Sequence, residues 1–190
     1  MKTTPKKILV VMASPRPKGN STILAGEAAR GAKDAGAEVR SVRLADLTFG
    51  PCRACDKCRK PGAAGCAQND DMKALHAELK AADSWLIASP VYWFTMSGQA
   101  KLFMDRLYVF GAKDYRPLKG KRIGIVLTSA DDDPRASGRV NAMRSFQDAF
   151  AYVGAPIAGM VHGSADKAGA VRRNKALMGE AYALGRALAA

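Results

Sequence analysis

The rhythm of apolar runs constrains this chain more than any other feature of its sequence. Runs too short for a helix alternate with longer stretches whose apolar residues recur at helical spacing. Ile8–Ser14 reads ILVVMAS, which predicts a Val-rich parallel strand buried on both faces. Asn20–Ala35 carries Ala, Leu and Ile at helical spacing and is closed by Gly36. Glu38–Leu44 alternates apolar and polar, like a strand nearer a sheet edge. Helices are then expected over Asp71–Ala82, Gly98–Val109, Arg139–Val153 and Lys167–Ala189, and strands over Ser84–Ser89, Arg122–Ser129 and Pro156–His162.

Five strands alternating with five helices predict an α/β fold, a parallel sheet covered on both faces. The flavodoxin-like order 2-1-3-4-5 is the common arrangement of such a doubly wound five-stranded sheet, with its switch point between strands 1 and 3. The 190 residues suit one domain over 1–190, interrupted by a Gly/Pro/Cys-rich insertion over 48–69 after strand 2. The chain is 48% hydrophobic and 25% charged, which excludes a disordered or collagen-like polymer. No apolar run approaches the roughly 18 residues of a membrane span. The start imitates a signal peptide, with Lys2, Lys6 and Lys7 ahead of an apolar run. That run ends at Ala13, short of the roughly 7–15 apolar residues a leader needs, so a buried strand in a cytoplasmic protein is expected. The net charge of +13 favours anionic ligands or partners, yet no Lys/Arg block with interleaved aromatics points to nucleic acid.

Two loops flank the expected switch point. The first, Ser14-Pro-Arg-Pro-Lys-Gly-Asn-Ser-Thr22, leads from strand 1 into a helix N-terminus, where free N–H groups and the macrodipole attract anions. Arg16 and Lys18 add charge; Ser14, Ser21 and Thr22 add hydroxyl donors. The alternative is an ordinary capped helix. Neither G-x-x-x-x-G-K-[ST] nor G-x-G-x-x-G occurs, which argues against a P-loop or a common dinucleotide fingerprint. The second loop, Ser89-Pro-Val-Tyr-Trp-Phe-Thr-Met-Ser97, places three consecutive aromatics beside backbone amides, a cradle for a planar heterocycle, or else a cover for the core or a dimer interface. An anion site facing an aromatic cradle suits flavin mononucleotide (FMN).

Ser14-x-Arg16 leading to Asn20-Ser-Thr22, then Ser89-Pro-Val-Tyr-Trp93, then Gln99-x-Lys-x-Phe-x-Asp-Arg106 resembles the NAD(P)H-dependent FMN reductase family over about residues 7 to 160. The resemblance implies a flavodoxin-like fold in which Ser14, Arg16, Asn20, Ser21 and Thr22 take the FMN phosphate. Pro90, Val91, Tyr92, Trp93 and Phe94, with Ser129 and Ala130, would border the ring. It also implies NAD(P)H as co-substrate and a homodimer, or a dimer of dimers, in which a neighbouring protomer completes the flavin site. Lys101, Asp105 and Arg106 read as structural or interface ion pairs.

All four cysteines lie in the insertion, as Cys52-x2-Cys55-x2-Cys58-x7-Cys66. Three at this compact spacing match the wrapping of an iron–sulfur cluster. A zinc site more often pairs two separated knuckles, and redox thiols are a third reading. The run followed by Asp70-Asp-Met72 resembles the iron–sulfur flavoproteins of the same family, which implies a [4Fe–4S] cluster beside FMN. Lys57, Arg59 and Lys60 are expected to favour thiolates. His76 is expected to be a surface or satisfied residue, and His162 is too isolated for catalysis. The expected function is NAD(P)H oxidation through FMN, with electrons passing to a small-molecule acceptor or a redox protein. A non-enzymatic electron carrier and a zinc-stabilised nucleic-acid-binding module are the alternatives.

Overall fold

The computed structural model describes residues 4–190. In chain order the elements are β1 (Lys7–Met12), α1 (Asn20–Asp34), β2 (Glu38–Arg43), α2 (Met72–Ala81), β3 (Ser84–Tyr92), β4 (Thr95–Met96), α3 (Gly98–Arg106), β5 (Arg122–Ser129), α4 (Arg139–Tyr152), β6 (Ile157–Ser164) and α5 (Lys175–Ala189). Five strands run parallel in the order β2-β1-β3-β5-β6, the expected flavodoxin-like order once β4 is set aside. β1 alternates its side chains between the two faces: Leu9 and Val11 join the core under α2, α3 and α4, while Ile8 and Val10 join the core under α1 and α5. Among the described residues no helix is long and apolar enough to cross a membrane.

The sheet departs from expectation at β3 and β4. Pro90 was expected to end the strand, yet β3 continues through it to Tyr92. The reason is its side of the ladder. Ala88 accepts a hydrogen bond from Ala13 on the β1 side (2.8 Å), and with period 2 Pro90 faces that side beyond the end of β1, where no donor is needed. The two-residue β4 then folds back antiparallel on β3, pairing Val91 with Met96 and Tyr92 with Thr95. Trp93 and Phe94 make the turn at φ 47° and 66°. A two-residue turn of this kind normally takes Asn-Gly, so Trp-Phe carries no hairpin signal.

Two helices end or begin elsewhere than periodicity suggests. α3 stops at Arg106 and continues as a 3-10 helix over Leu107–Lys113. α5 starts at Lys175 and not at 167, because Asn174 caps it by accepting from the Leu177 N–H (3.0 Å), after a separate 3-10 turn at Ala170–Arg173. α1 and α5 cross in close contact: a Cβ on Gly185 would stand 1.8 Å from the Ala28 carbonyl oxygen.

Candidate functional site

The carboxyl ends of β1, β3 and β5 surround a crevice of about 250 Å³ at the switch point. Ser14, Arg16, Asn20 and Ser21 line it from the loop after β1, Pro90, Val91 and Tyr92 from β3, and Ser129 and Ala130 from the end of β5. Nine of the twelve residues expected at a flavin therefore share one concavity. Thr22, Trp93 and Phe94 are not in its lining. Thr22 turns its hydroxyl back to the Arg16 carbonyl (3.3 Å), and Trp93 is 92% exposed at the hairpin tip. The crevice also contains residues that were not foreseen: Gly19, Thr128, and Ala165, Asp166 and Ala168 from the loop after β6. The last three were legible in principle, since ligands of open α/β sheets bind beyond the carboxyl ends of the strands, β6 included.

Local bonding sets what each residue can offer. Ile23 is the first residue of α1 to close a helical bond, to Gly19 (3.0 Å), which leaves the N–H groups of Asn20, Ser21 and Thr22 without an intrahelical acceptor. No acidic residue stands in the first turn of α1. The Ser21 Oγ is buried and has no partner among the described residues. Asn20 differs from its expected role: its side-chain amide donates to the Ala165 and Lys167 carbonyls (2.8 and 3.0 Å), and its Oδ1 accepts from the Val171 N–H (3.3 Å). It pins the loop after β6 to the loop after β1, so only its backbone N–H remains for a ligand.

The side of the crevice built from β3 and β5 is held by buried hydroxyls. Ser97 caps α3 by accepting from the Ala100 N–H (3.2 Å) and donates to the Ala13 carbonyl (2.8 Å). Its own N–H donates to the Ser89 Oγ (3.0 Å). The ends of β1 and β3 are thereby tied to the start of α3. Ser129 donates to the Asp131 carbonyl (3.0 Å) and accepts from Arg139 (3.1 Å). The hairpin is braced from α4: Asn141 donates to the Phe94 carbonyl (3.2 Å), and a Cβ on Gly138 (φ +74°) would lie 2.2 Å from the Phe94 Cα.

Residues 6–170 match the profile of the NADPH-dependent FMN reductase family. The chain belongs to that family. An iron–sulfur flavoprotein of Methanocaldococcus jannaschii is 37% identical over 100 residues, which cover 53% of this chain and 51% of that protein. A second iron–sulfur flavoprotein of the same organism is 33% identical over 144 residues, 76% of this chain and 70% of the relative. The chain spans about half the length of two of its curated relatives, 51% and 54%. In fold it is similar to the NAD(P)H:quinone oxidoreductase from Methanothermobacter marburgensis, with a TM-score of 0.73 at 16% identity over 97% of this chain and 98% of the other.

For a member of the FMN reductase family, the decisive test is whether the crevice suits the cofactor's phosphate. It does: Ser21, with its buried and partnerless hydroxyl, lines the crevice together with Arg16, and the N–H groups of Asn20 and Ser21 at the start of α1 have no intrahelical acceptor.

The cysteine insertion is a second locus. It holds one 3-10 turn, Lys57–Arg59, and its four thiols form no disulfides. Burial first, and then the neighbouring Cys66, Cys52 and Cys55, push the Cys58 thiol up from its ordinary value. This reverses, at Cys58, the expectation that Lys57, Arg59 and Lys60 favour thiolates. Those three side chains are exposed, and Arg59 is engaged by the Tyr108 hydroxyl (3.2 Å). Among the described residues no three His, Cys, Asp or Glu side chains converge as a metal-holding group. The donor chemistry still suits a thiophilic metal, with four sulfurs free of disulfides within fifteen residues.

Arg106 ties this insertion to the sheet domain. Its side chain, 1% exposed, donates in a fork to Asp70 (2.6 and 2.8 Å), to the Gly50 carbonyl (2.9 Å) and to the Cys66 sulfur (3.6 Å). The expected structural ion pair is thus found, but its partner lies 36 residues away. Lys101 and Asp105 form only an exposed pair within α3. His76 is a satisfied core residue: its Nε2 bonds the Arg106 carbonyl (3.1 Å), and burial lowers its pKa to about 4.

Proposed function

We propose that the protein is an FMN-dependent NAD(P)H oxidoreductase whose crevice holds FMN and whose insertion carries a [4Fe–4S] cluster on Cys52, Cys55, Cys58 and Cys66. Electrons leave for a small-molecule acceptor or a redox protein. The observation that carries this reading is the unpartnered Ser21 hydroxyl beside the open N-terminus of α1, on the wall of a switch-point crevice. FMN, when bound, supplies the hydride and electron chemistry, so the hydride step needs no side-chain acid or base.

The chain's own residues bind and orient. Ser14, Arg16, Ser21 and the N–H groups of Asn20, Ser21 and Thr22 hold the phosphate. Pro90, Val91 and Tyr92 on one side, with Ser129 and Ala130 on the other, present backbone to the polar edge of the ring. Trp93 and Phe94, outside this crevice and exposed, meet a second protomer in a homodimer. The names of the iron–sulfur flavoprotein relatives and the four free thiols support the cluster.

The experiment is anaerobic purification with a visible spectrum, followed by addition of NADH or NADPH without any protein partner. The expected result is about one FMN per chain, bleached by the pyridine nucleotide. Absence of flavin binding overturns the reading. Flavin that is not reduced by either nucleotide turns the protein into a carrier that needs a redox partner.

A further inference from the structure

We infer that Arg139 is a positioning residue that brings a positive charge without an ion-pair partner to the flavin crevice and makes the site hold the reduced, negatively charged flavin more tightly than the oxidised one. This rests on the FMN reading of the crevice.

Arg139 is 6% exposed and no carboxylate oxygen lies within 4.0 Å of its guanidinium among the described residues. Its acceptors are neutral: the Ser129 hydroxyl (3.1 Å) and the Asp132 carbonyl (2.8 Å). Its Nε has no partner. Buried charges are ordinarily paired, so this one is anomalous. Arg106, the other deeply buried arginine, has its carboxylate.

Location deepens the anomaly. Arg139 opens α4, whose first turn contains no acidic residue, so the cation sits at the positive end of a helix where it is disfavoured. The carboxylates of Asp131, Asp132 and Asp133 are exposed and turned to other donors, the Asp133 N–H, the Ser164 hydroxyl and the N–H groups of Arg135 and Ala136. His162 is held below its ordinary pKa, first by burial and then by the Arg139 charge, against the opposing pull of Glu180. The guanidinium stands directly behind Ser129, a wall of the crevice. Hydride transfer adds two electrons and one proton to the ring, leaving it one unit more negative. A poorly screened cation one residue behind that wall stabilises this form and leaves the neutral ring nearly unaffected.

The test is the flavin midpoint potential of the FMN-loaded protein, from reductive titration against a reference dye, with the oxidised FMN dissociation constant measured alongside. Arg139→Gln retains hydrogen-bonding capacity and removes the charge. The ratio of reduced to oxidised dissociation constants should rise by about tenfold, a midpoint about 30 mV more negative for a two-electron couple. Arg139→Lys retains the charge without the fork, so its midpoint should stay near that of the unaltered protein even where oxidised FMN binds less tightly. An unchanged midpoint in Arg139→Gln, or an equal drop in Arg139→Lys, overturns the inference and leaves Arg139 as a brace for the Ser129–Asp132 loop. If Arg139→Gln does not fold, Arg139→Lys decides alone: a midpoint that falls with affinity counts against the charge, and one that holds supports it. Failure of the unaltered protein to bind FMN instead overturns the underlying reading.

Discussion

Asn20 and Ser21 are adjacent in sequence and line the same crevice, yet their side chains have opposite fates. The Asn20 amide is fully used by the loop after β6, whereas the Ser21 hydroxyl is buried with no partner. An unsatisfied buried hydroxyl costs about 1–3 kcal/mol, a cost that a phosphate oxygen would offset. Ser21→Ala should therefore raise the thermal stability of the flavin-free protein while weakening FMN binding about tenfold, since a bond to a charged acceptor contributes roughly 1.5–3 kcal/mol. Melting with and without FMN reads both effects, and undiminished FMN affinity would remove this hydroxyl from the site. His76 makes a second prediction. Burial holds its folded pKa at about 4, below the ordinary 6.5, so the unfolded chain binds one more proton between those values. Stability is then insensitive to this group above pH 6.5 and falls by about 1.4 kcal/mol per pH unit as pH drops from 6.5 toward 4. Urea unfolding across that range should show the slope, and His76→Gln should flatten it. Asp70 contributes in a different window: Arg106 holds its pKa below 3.8, so the stability it adds is present above that value and is lost only in stronger acid.

At the level of elements, the β3–β4 hairpin stands out for spending stability. Trp93 and Phe94 both adopt left-handed backbone, which costs roughly 1–2 kcal/mol per non-glycine residue, and both remain exposed at the tip. Such strain is retained where a neighbouring structure fixes it, and here Asn141 on α4 and Gly138 just before that helix do so. Replacing the pair with the favoured turn residues, Trp93→Asn with Phe94→Gly, should stabilise a dilute monomer against urea by about 1–2 kcal/mol. The proposed homodimer predicts that sedimentation at micromolar concentration gives twice the chain mass of 20.2 kDa for the unaltered protein and a single chain for this variant. A double variant that still dimerises would take the hairpin out of the interface.

For the whole molecule, polar links between the insertion and the sheet domain include Arg106 with Asp70 and Gly50, Thr48 with the Asp71 carboxylate and N–H, and Tyr108 with Arg59 and Asp56. The crevice residues all lie outside 48–69. Cys55→Ser is accordingly expected to abolish iron incorporation on anaerobic reconstitution while leaving FMN content and its reduction by NAD(P)H intact. Iron at the unaltered level in that variant would exclude Cys55 as a ligand, and iron-free unaltered protein with FMN bound would end the cluster reading.

The division between sequence and tertiary structure follows the range of the forces involved. The periodicity of 2 and 3.6 in the apolar residues is local, and it suffices for the five parallel strands and the loops at their ends, whereas the order of the sheet follows from the common doubly wound arrangement. Compact motifs such as Ser14-x-Arg16 and the cysteine run are local too. Nothing local announces that Asn20 is consumed by a loop 145 residues away, that Arg106 finds Asp70, or that Arg139 stands behind Ser129 without a counter-ion. Those outcomes depend on which polar groups are brought together when the sheet closes and water leaves. Burial, not residue type, decided which hydroxyl was left free, which histidine stays neutral and which arginine keeps an unbalanced charge beside the crevice.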